Sequence, residues 1–284
     1  MSIATPRKFR VVGLLAAAAA VVGLALPAAT SAAAPSTHPK PVKPTVVLVH
    51  GAWADASSFA PVTAALQEDG YKVVSAPNPL RSLATDAAYV AAFVNQNTTG
   101  PVVLVGHSYG GSVITNAATE TPRVKALVYV NAFAPDEGES AYELTGAKPG
   151  SLLNVPPADL GTVFDFVQFP GAGVDDYDAY VKAARFSEIF AAGLSRDRAA
   201  VLAAGQRPIT TESALKARSG APAWKTITSY FFVGTTDKVI PPAQQLAMAD
   251  RAGGVVVKAK ADHLSMLEVP HKVAHLIERA AVTR

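Results

Sequence analysis

The pentapeptide Gly106-His107-Ser108-Tyr109-Gly110 sets a serine between two glycines, after the apolar run 102–105 and before the small-residue stretch 111–118. A strand that feeds a helix through so short a link must turn sharply. A serine at the apex is expected to be strained, with φ > 0, and to project its hydroxyl from the end of a sheet. Side chains at 106 and 110 would collide across the turn. The first amides of a helix starting at Tyr109 would face that hydroxyl and favour negative charge beside it. The chemistry this pattern suits is acyl transfer to a serine oxygen.

A serine hydroxyl needs a base, and an oriented imidazole serves best near neutral pH. The chain has six histidines. His38 lies in a proline-rich stretch. His271 and His275 share a helix at i, i+4 but have no acidic or third ligand beside them, so no metal is expected. His107 is locked beside Ser108 in the turn, and His50 ends the first strand on the wrong side of it. His263 follows the strand 255–258 by a short loop and precedes the last helix, where it can reach Ser108. The orienting acid should also leave a carboxyl strand end. Asp237 does so, between the strand 228–233 and Pro241-Pro242. Asp262 adjoins His263 and cannot easily reach around to its ring; Asp136, after the preceding strand, stays open as the alternative acid. The expected triad is Ser108, Asp237 and His263, in the chain order of a nucleophile-elbow hydrolase.

The tetrahedral intermediate needs two preorganised N–H donors, each worth roughly 2.7–4 kcal/mol of barrier. The Tyr109 amide is one. The other should come from His50-Gly51-Ala52-Trp53, where Gly51 lets the loop approach Ser108 and the Ala52 amide is the expected donor. Trp53 and His107 are the expected substrate contacts, although Trp53 also suits plain core or cap packing.

The elements that must hold these residues follow from periodicity. Short β-branched runs at 45–49, 72–75, 102–105, 126–130, 228–233 and 255–258 alternate with helical patterns at 57–69, 84–97, 109–119, 242–251 and 270–281. Nearly all-apolar strands point to a parallel sheet buried on both faces. Leu66, Val90, Phe93, Leu246, Val273 and Ile277 should face it from the helices. The fold class is therefore α/β, a mostly parallel sheet of about six strands flanked by helices, with functional loops beyond the strands' carboxyl ends. The alternation breaks over 134–223, which is too long for a simple loop. This stretch reads as a helical cap insertion, with helices near 176–184 and 195–204. Its Phe164, Phe166, Phe169, Tyr177, Tyr180, Phe186 and Phe190 should mostly form cap core, with two or three touching substrate.

Residues 1–34 have a basic start (Arg7, Lys8, Arg10), an alanine-rich apolar stretch and a small-residue end containing Thr30-Ser31-Ala32. That is the pattern of a cleaved secretory signal, so the hydrolase domain, 45–284, is expected to be secreted, with no stable membrane association after cleavage. Residues 35–44 are a proline-rich linker. The full chain has 25 basic and 22 acidic residues, and three of the basic ones fall in the leader, so the mature charge is zero. Nothing in that balance supports nucleic-acid binding. There is no cysteine, so stability must come from a core rather than from disulfides.

These residues resemble the α/β-hydrolase superfamily, and within it the small, cofactor-free bacterial esterases carrying H-G-A-W and G-H-S-Y-G-G, here residues 50–53 and 106–111. The resemblance extends to Asn78-Pro79-Leu80, residues 131–140, Gln206-Arg207-Pro208 and Pro222-Ala223-Trp224, and covers roughly 45–282. It implies a Ser/His/Asp mechanism on Ser108, His263 and Asp237, oxyanion donors at Ala52 and Tyr109, no cofactor, and a small-molecule ester as partner. The family's usual amino-terminal hairpin is missing, replaced by the proline-rich spacer. Plant hydroxynitrile lyases of this branch have lysine after the triad histidine, where Leu264 stands here, which argues against a lyase. Cofactor-free haloperoxidases commonly have methionine after the nucleophile, where Tyr109 stands, which weakens a perhydrolase reading. Lactones, thioesters and amides use the same machinery. A non-catalytic binding protein on this fold usually lacks a triad member, and all three are present.

Overall fold

A computed structural model describes residues 42–283. The expected leader, 1–34, and most of the linker lie outside the described residues. Four strands open the domain: β1 (Thr45–Val49), β2 (Val73–Ala76), β3 (Val102–His107) and β4 (Val124–Val130). Three short strands follow, β5 (Phe164–Val167), β6 (Asp178–Val181) and β7 (Ile209–Thr210). The last are β8 (Ser229–Gly234) and β9 (Val255–Ala259). Six of these form one sheet in the order β2-β1-β3-β4-β8-β9. Every pairing in it is parallel. The all-valine-and-leucine stretch of β3 shows why: no residue of that strand touches solvent, which only a sheet covered on both faces permits.

The helices are α1 (Ala60–Glu68), α2 (Leu83–Asn97), α3 (Tyr109–Ala117), α4 (Ala141–Gly146), α5 (Ala183–Phe190), α6 (Arg196–Ala204), α7 (Pro242–Arg251), α8 (Ser265–Glu268) and α9 (Pro270–Ala281). Leu66, Val90, Val273 and Ile277 are fully buried, as their spacing requires, while Phe93 and Leu246 pack on the core at its margin. α1 packs with α9 and α2 with α3, flanking the sheet.

The segment between β4 and β8 is not purely helical. β5, β6 and β7 make a separate three-stranded antiparallel sheet. The helix expected over 176–184 is instead β6 followed by the start of α5. Ala179 and Val181 are buried while Tyr180 between them is half-exposed, which is the two-residue period of a strand. Asp176 ends up as an anchor: its Oδ1 accepts the Glu212 N–H at 2.8 Å, and its Oδ2 accepts from the Ser213 hydroxyl. These contacts pin the π-helical turn Thr211–Leu215. α6 matches its expectation, capped by Ser195, whose side chain accepts from Arg198 N–H.

Candidate active site

Five carboxyl strand ends meet at one edge of the sheet, and each carries a residue of interest. β3 delivers Ser108 into the elbow with φ 53° and ψ −125°. Such backbone stores on the order of 1–3 kcal/mol of strain and persists only where its surroundings over-determine it. Here the Ser108 carbonyl accepts N–H bonds from Gly111 (2.9 Å) and Phe133 (3.2 Å), which lock the turn. The turn tolerates no side chain at Gly106, where a Cβ would lie 2.5 Å from the Gly110 carbonyl oxygen. β1 delivers the loop of Gly51, Ala52 and Trp53. A Cβ on Gly51 would stand 2.6 Å from the Cβ of Ser108, so the missing side chain is what brings this loop against the serine.

β8 and β9 supply the other two members. The His263 Nδ1–H donates to Asp237 Oδ2 at 2.9 Å, with both side chains fully buried. Asp237 collects five donors: His263, the side-chain amides of Asn131 (2.9 Å) and Gln245 (2.8 Å) at Oδ2, and the backbone N–H groups of Val239 (2.8 Å) and Ile240 (3.0 Å) at Oδ1. A carboxylate accepts only, so His263 Nδ1 must carry its hydrogen, and in the neutral imidazole Nε2 then presents a lone pair. Nε2 is buried and has no partner. No hydrogen bond joins it to the Ser108 hydroxyl in this structure; contacts of this kind tighten when substrate arrives.

His107 ties the two halves together. Its ring centroid is 4.7 Å from that of His263, and its Nε2–H donates to the His263 carbonyl at 3.0 Å. Burial, and then the neighbouring His263, hold the His107 imidazole well below its ordinary pKa, so it stays neutral. Burial also lowers His50, whose Nδ1–H donates to the Gly51 carbonyl at 2.9 Å. Asp136, the alternative acid, is paired with Lys225 at 2.7 Å, and that partner pulls its carboxyl down. His275 pairs with Glu278 at the surface. Among the described residues, no group of three or more His, Cys, Asp or Glu side chains is arranged to hold a metal ion.

Above Ser108 lies a cavity of about 540 Å³. Ala52, Trp53 and Tyr109 wall its base, and among the described residues neither the Ala52 nor the Tyr109 N–H donates to a protein acceptor. Of the cap aromatics, Phe164, Phe166 and Tyr177 line it, together with Tyr142, which sequence reasoning does not single out. Phe186 and Phe190 are buried core of the cap instead, packed on each other with tilted rings 5.1 Å apart. Trp53 is both wall and anchor: its indole N–H donates to the Ala179 carbonyl of β6 at 2.8 Å, and its ring meets Phe164 and Phe190. His107 does not line the cavity; it is sealed behind the serine, so its part is to support the His263 loop rather than to touch substrate.

Asn131, Gln245 and Asp86 were not singled out by sequence reasoning. Asn131 stands one residue past β4 with φ 44°, and while its Nδ2 donates to Asp237 its Oδ1 accepts from the Ser265 hydroxyl at 2.7 Å. Its position at a strand end was the available signal. Gln245 sits inside α7 with no local signal at all.

A model of the alpha/beta hydrolase family matches residues 46–276. Among curated relatives, the carbendazim hydrolyzing esterase of Nocardioides sp. (strain SG-4G) is 34% identical over 110 residues, 34% of this chain, and the match spans 46% of that relative's length. Among solved structures, a pyrethroid hydrolase from Sphingobium faniae JZ-2 superposes with a TM-score of 0.65 at 21% identity, covering 84% of this chain and 97% of that one. Polyneuridine aldehyde esterase does so with a TM-score of 0.68 at 19% identity, covering 84% and 99%.

Proposed function

The chain belongs to the alpha/beta hydrolase family, and from that premise we propose that it is a carboxylic ester hydrolase working through an acyl-enzyme on Ser108. The observation that carries this reading is the buried Asp237–His263 pair, whose imidazole, with Nε2 unpartnered, packs on His107 of the serine elbow, while Ser108 itself lines a largely apolar cavity. His263 Nε2 takes the Ser108 proton as the oxygen attacks the ester carbonyl. The Ala52 and Tyr109 N–H groups hold the oxyanion. The imidazolium, steadied by Asp237, gives its proton to the leaving alcohol, and water activated by the same nitrogen releases the acid. The chemistry needs no metal or cofactor.

The cavity's size lies in the range of drug-sized ligand sites. Its walls are mainly aromatic and aliphatic, with Asp175, Glu212 and Lys216 the charged residues among them. Uncharged esters of small to medium size fit that lining. The names of the relatives, an esterase and a pyrethroid hydrolase among them, support the same substrate class. The test is a panel of chromogenic esters of graded acyl length, with lactones, thioesters and amides for comparison, run against Ser108→Ala. Loss of turnover with retained fold supports the reading; undiminished hydrolysis by that variant overturns it.

The leader-like residues 1–34 support export of the mature chain. Amino-terminal sequencing of protein from culture medium tests this, with a start near Ala33 expected and an intact Met1 on cell-bound protein the refuting result.

A further inference from the structure

We propose that Asp86 and Asn78 are positioning residues for the oxyanion site: on the stretch that runs from the end of β2 into the first turn of α2, Asp86 braces the Tyr109 donor and Asn78 the Ala52 donor. The inference rests on the ester-hydrolase reading above.

Asp86 is completely buried in the first turn of α2, and neither Asp237 nor His263 is among its hydrogen-bond partners. The phenol of Tyr109 donates to its Oδ2 at 3.0 Å, and the Arg81 N–H donates to its Oδ1 at 3.2 Å. Taking a carboxyl group out of water is unfavourable, and a site that needed only filling would be better served by an apolar side chain. Burial raises the Asp86 carboxyl above its usual range and pushes the Tyr109 phenol well up, so the phenol keeps its proton as a donor. Tyr109 is thereby gripped at both ends. Its backbone continues the strained Ser108 elbow into α3, and its ring is tethered to α2. A rotation of Tyr109 that would relax the elbow, and turn its N–H away from the oxyanion, has to break that tether.

Asn78 does the corresponding work on the other donor. It is fully buried, and its Nδ2 donates to the His50 carbonyl at 2.8 Å. That carbonyl belongs to the peptide leading into Gly51, so its direction governs how the loop presents the Ala52 N–H. The cap holds the same segment. The Thr210 N–H donates to the Leu80 carbonyl at 3.2 Å, the Thr210 hydroxyl to the Arg81 carbonyl at 2.8 Å, and Arg81 pairs with Asp178 of β6 at 2.6 Å. Leu80 between them is held at φ 62°, a conformation a leucine adopts only under constraint. One strap therefore links both oxyanion donors to the cap that covers the substrate.

The test uses Tyr109→Phe, Asp86→Asn, Asp86→Leu and Asn78→Ala in the full chain. It measures kcat and KM on an uncharged chromogenic ester, and inhibition by a trifluoromethyl ketone, whose adduct with the serine carries an oxyanion. A positioning role predicts that Tyr109→Phe and Asn78→Ala each lower kcat by about tenfold, short of the 10²–10³ lost when a donor is removed outright. KM should stay within about twofold, and ketone inhibition should weaken in parallel with kcat. Asp86→Asn keeps an acceptor for the phenol and should retain more activity than Asp86→Leu. The Tyr109→Phe/Asp86→Asn double variant should be no slower than the slower single one. If Tyr109→Phe and Asn78→Ala turn over like wild type, or if the losses fall in KM alone, the positioning role is overturned while the hydrolase reading stands. A wild type inert to both ester and ketone overturns the hydrolase reading, and this inference with it.

Discussion

Replacing Asp237 by asparagine alters one atom and leaves the shape of the site intact, so its consequence can be worked out from the hydrogen bonds. The new NH₂ must take the place of one carboxylate oxygen. At the Oδ1 position it would face the backbone N–H groups of Val239 and Ile240, which cannot rotate away. At the Oδ2 position it faces His263 and the side-chain amides of Asn131 and Gln245. The Gln245 amide also donates to the Ile240 carbonyl at 2.8 Å, so it makes room by shifting its side chain, which the backbone N–H groups cannot do. The NH₂ therefore goes to the Oδ2 side and donates to His263 Nδ1. That drives the histidine hydrogen to Nε2, and Nε2 can then no longer accept the Ser108 proton. Loss of the correct tautomer in a triad of this type lowers kcat by about 10⁴, equivalent to roughly 5.4 kcal/mol of barrier. The assay is kcat/KM on a chromogenic ester, with Asp136→Asn as control. Asp136 is tied to Lys225 instead of the histidine, so its variant should keep wild-type activity. If Asp237→Asn stays within tenfold of wild type, or Asp136→Asn is the crippled one, the assignment of the acid is wrong.

Three further outcomes follow from particular contacts. Ser108→Gly relieves the φ 53° strain; net of the freedom glycine adds to the unfolded chain, a gain of about 1 kcal/mol should raise Tm by about 2–4 °C while abolishing turnover. A lower Tm in calorimetry would refute the strain argument. Gly51→Ala places a methyl 2.6 Å from the Ser108 Cβ and 2.8 Å from the His107 carbonyl oxygen, so the oxyanion loop must retreat; kcat should fall by about 10² or more, and a wild-type rate would show that the loop does not hold the oxyanion. His50 and His107 have folded pKa values below 6.5, so the unfolded chain binds more protons than the native one as pH falls through 6.5. Their stabilising contribution is complete above that pH and is lost below it, at up to about 1.4 kcal/mol per pH unit for each histidine. Tm should fall between pH 7.5 and 5.5, less steeply in His107→Gln; an equal slope in the variant would mean that His107 is not kept neutral by the fold.

The core and the cap differ in how much of them could be read beforehand, and the difference has a physical cause. β1, α7 and α9 lie at their expected bounds, and the other core strands and helices within a residue or two at most ends, because a buried parallel strand has to be apolar throughout and its helices need one apolar stripe. The elbow was legible for a related reason: its glycines answer to clashes within a few residues of chain. In the cap no single period dominates. Residues 178–181 alternate like a strand but sit beside helix-forming alanines, and only pairing with 164–167 and 209–210, far away in sequence, decides for β6.

The same distinction separates the parts of the site that could be foreseen from those that could not. Ser108, Asp237 and His263 advertise themselves, since each is a reactive side chain at a strand end. Asn131, Gln245 and Asp86 make their contacts across 106, 8 and 23 residues of chain, to groups whose placement is known only once the sheet is assembled. Of these, Asp86 departs furthest from what local rules favour. Aspartate in the first turn of a helix reads as an ordinary surface charge favoured by the dipole, yet here it is buried, the nearby Arg81 pairs with Asp178 instead, and it is held by a tyrosine phenol and a backbone amide. A chain selected for folding alone would have little reason to keep that arrangement. A chain that must hold Tyr109 still while charge appears beside it has one.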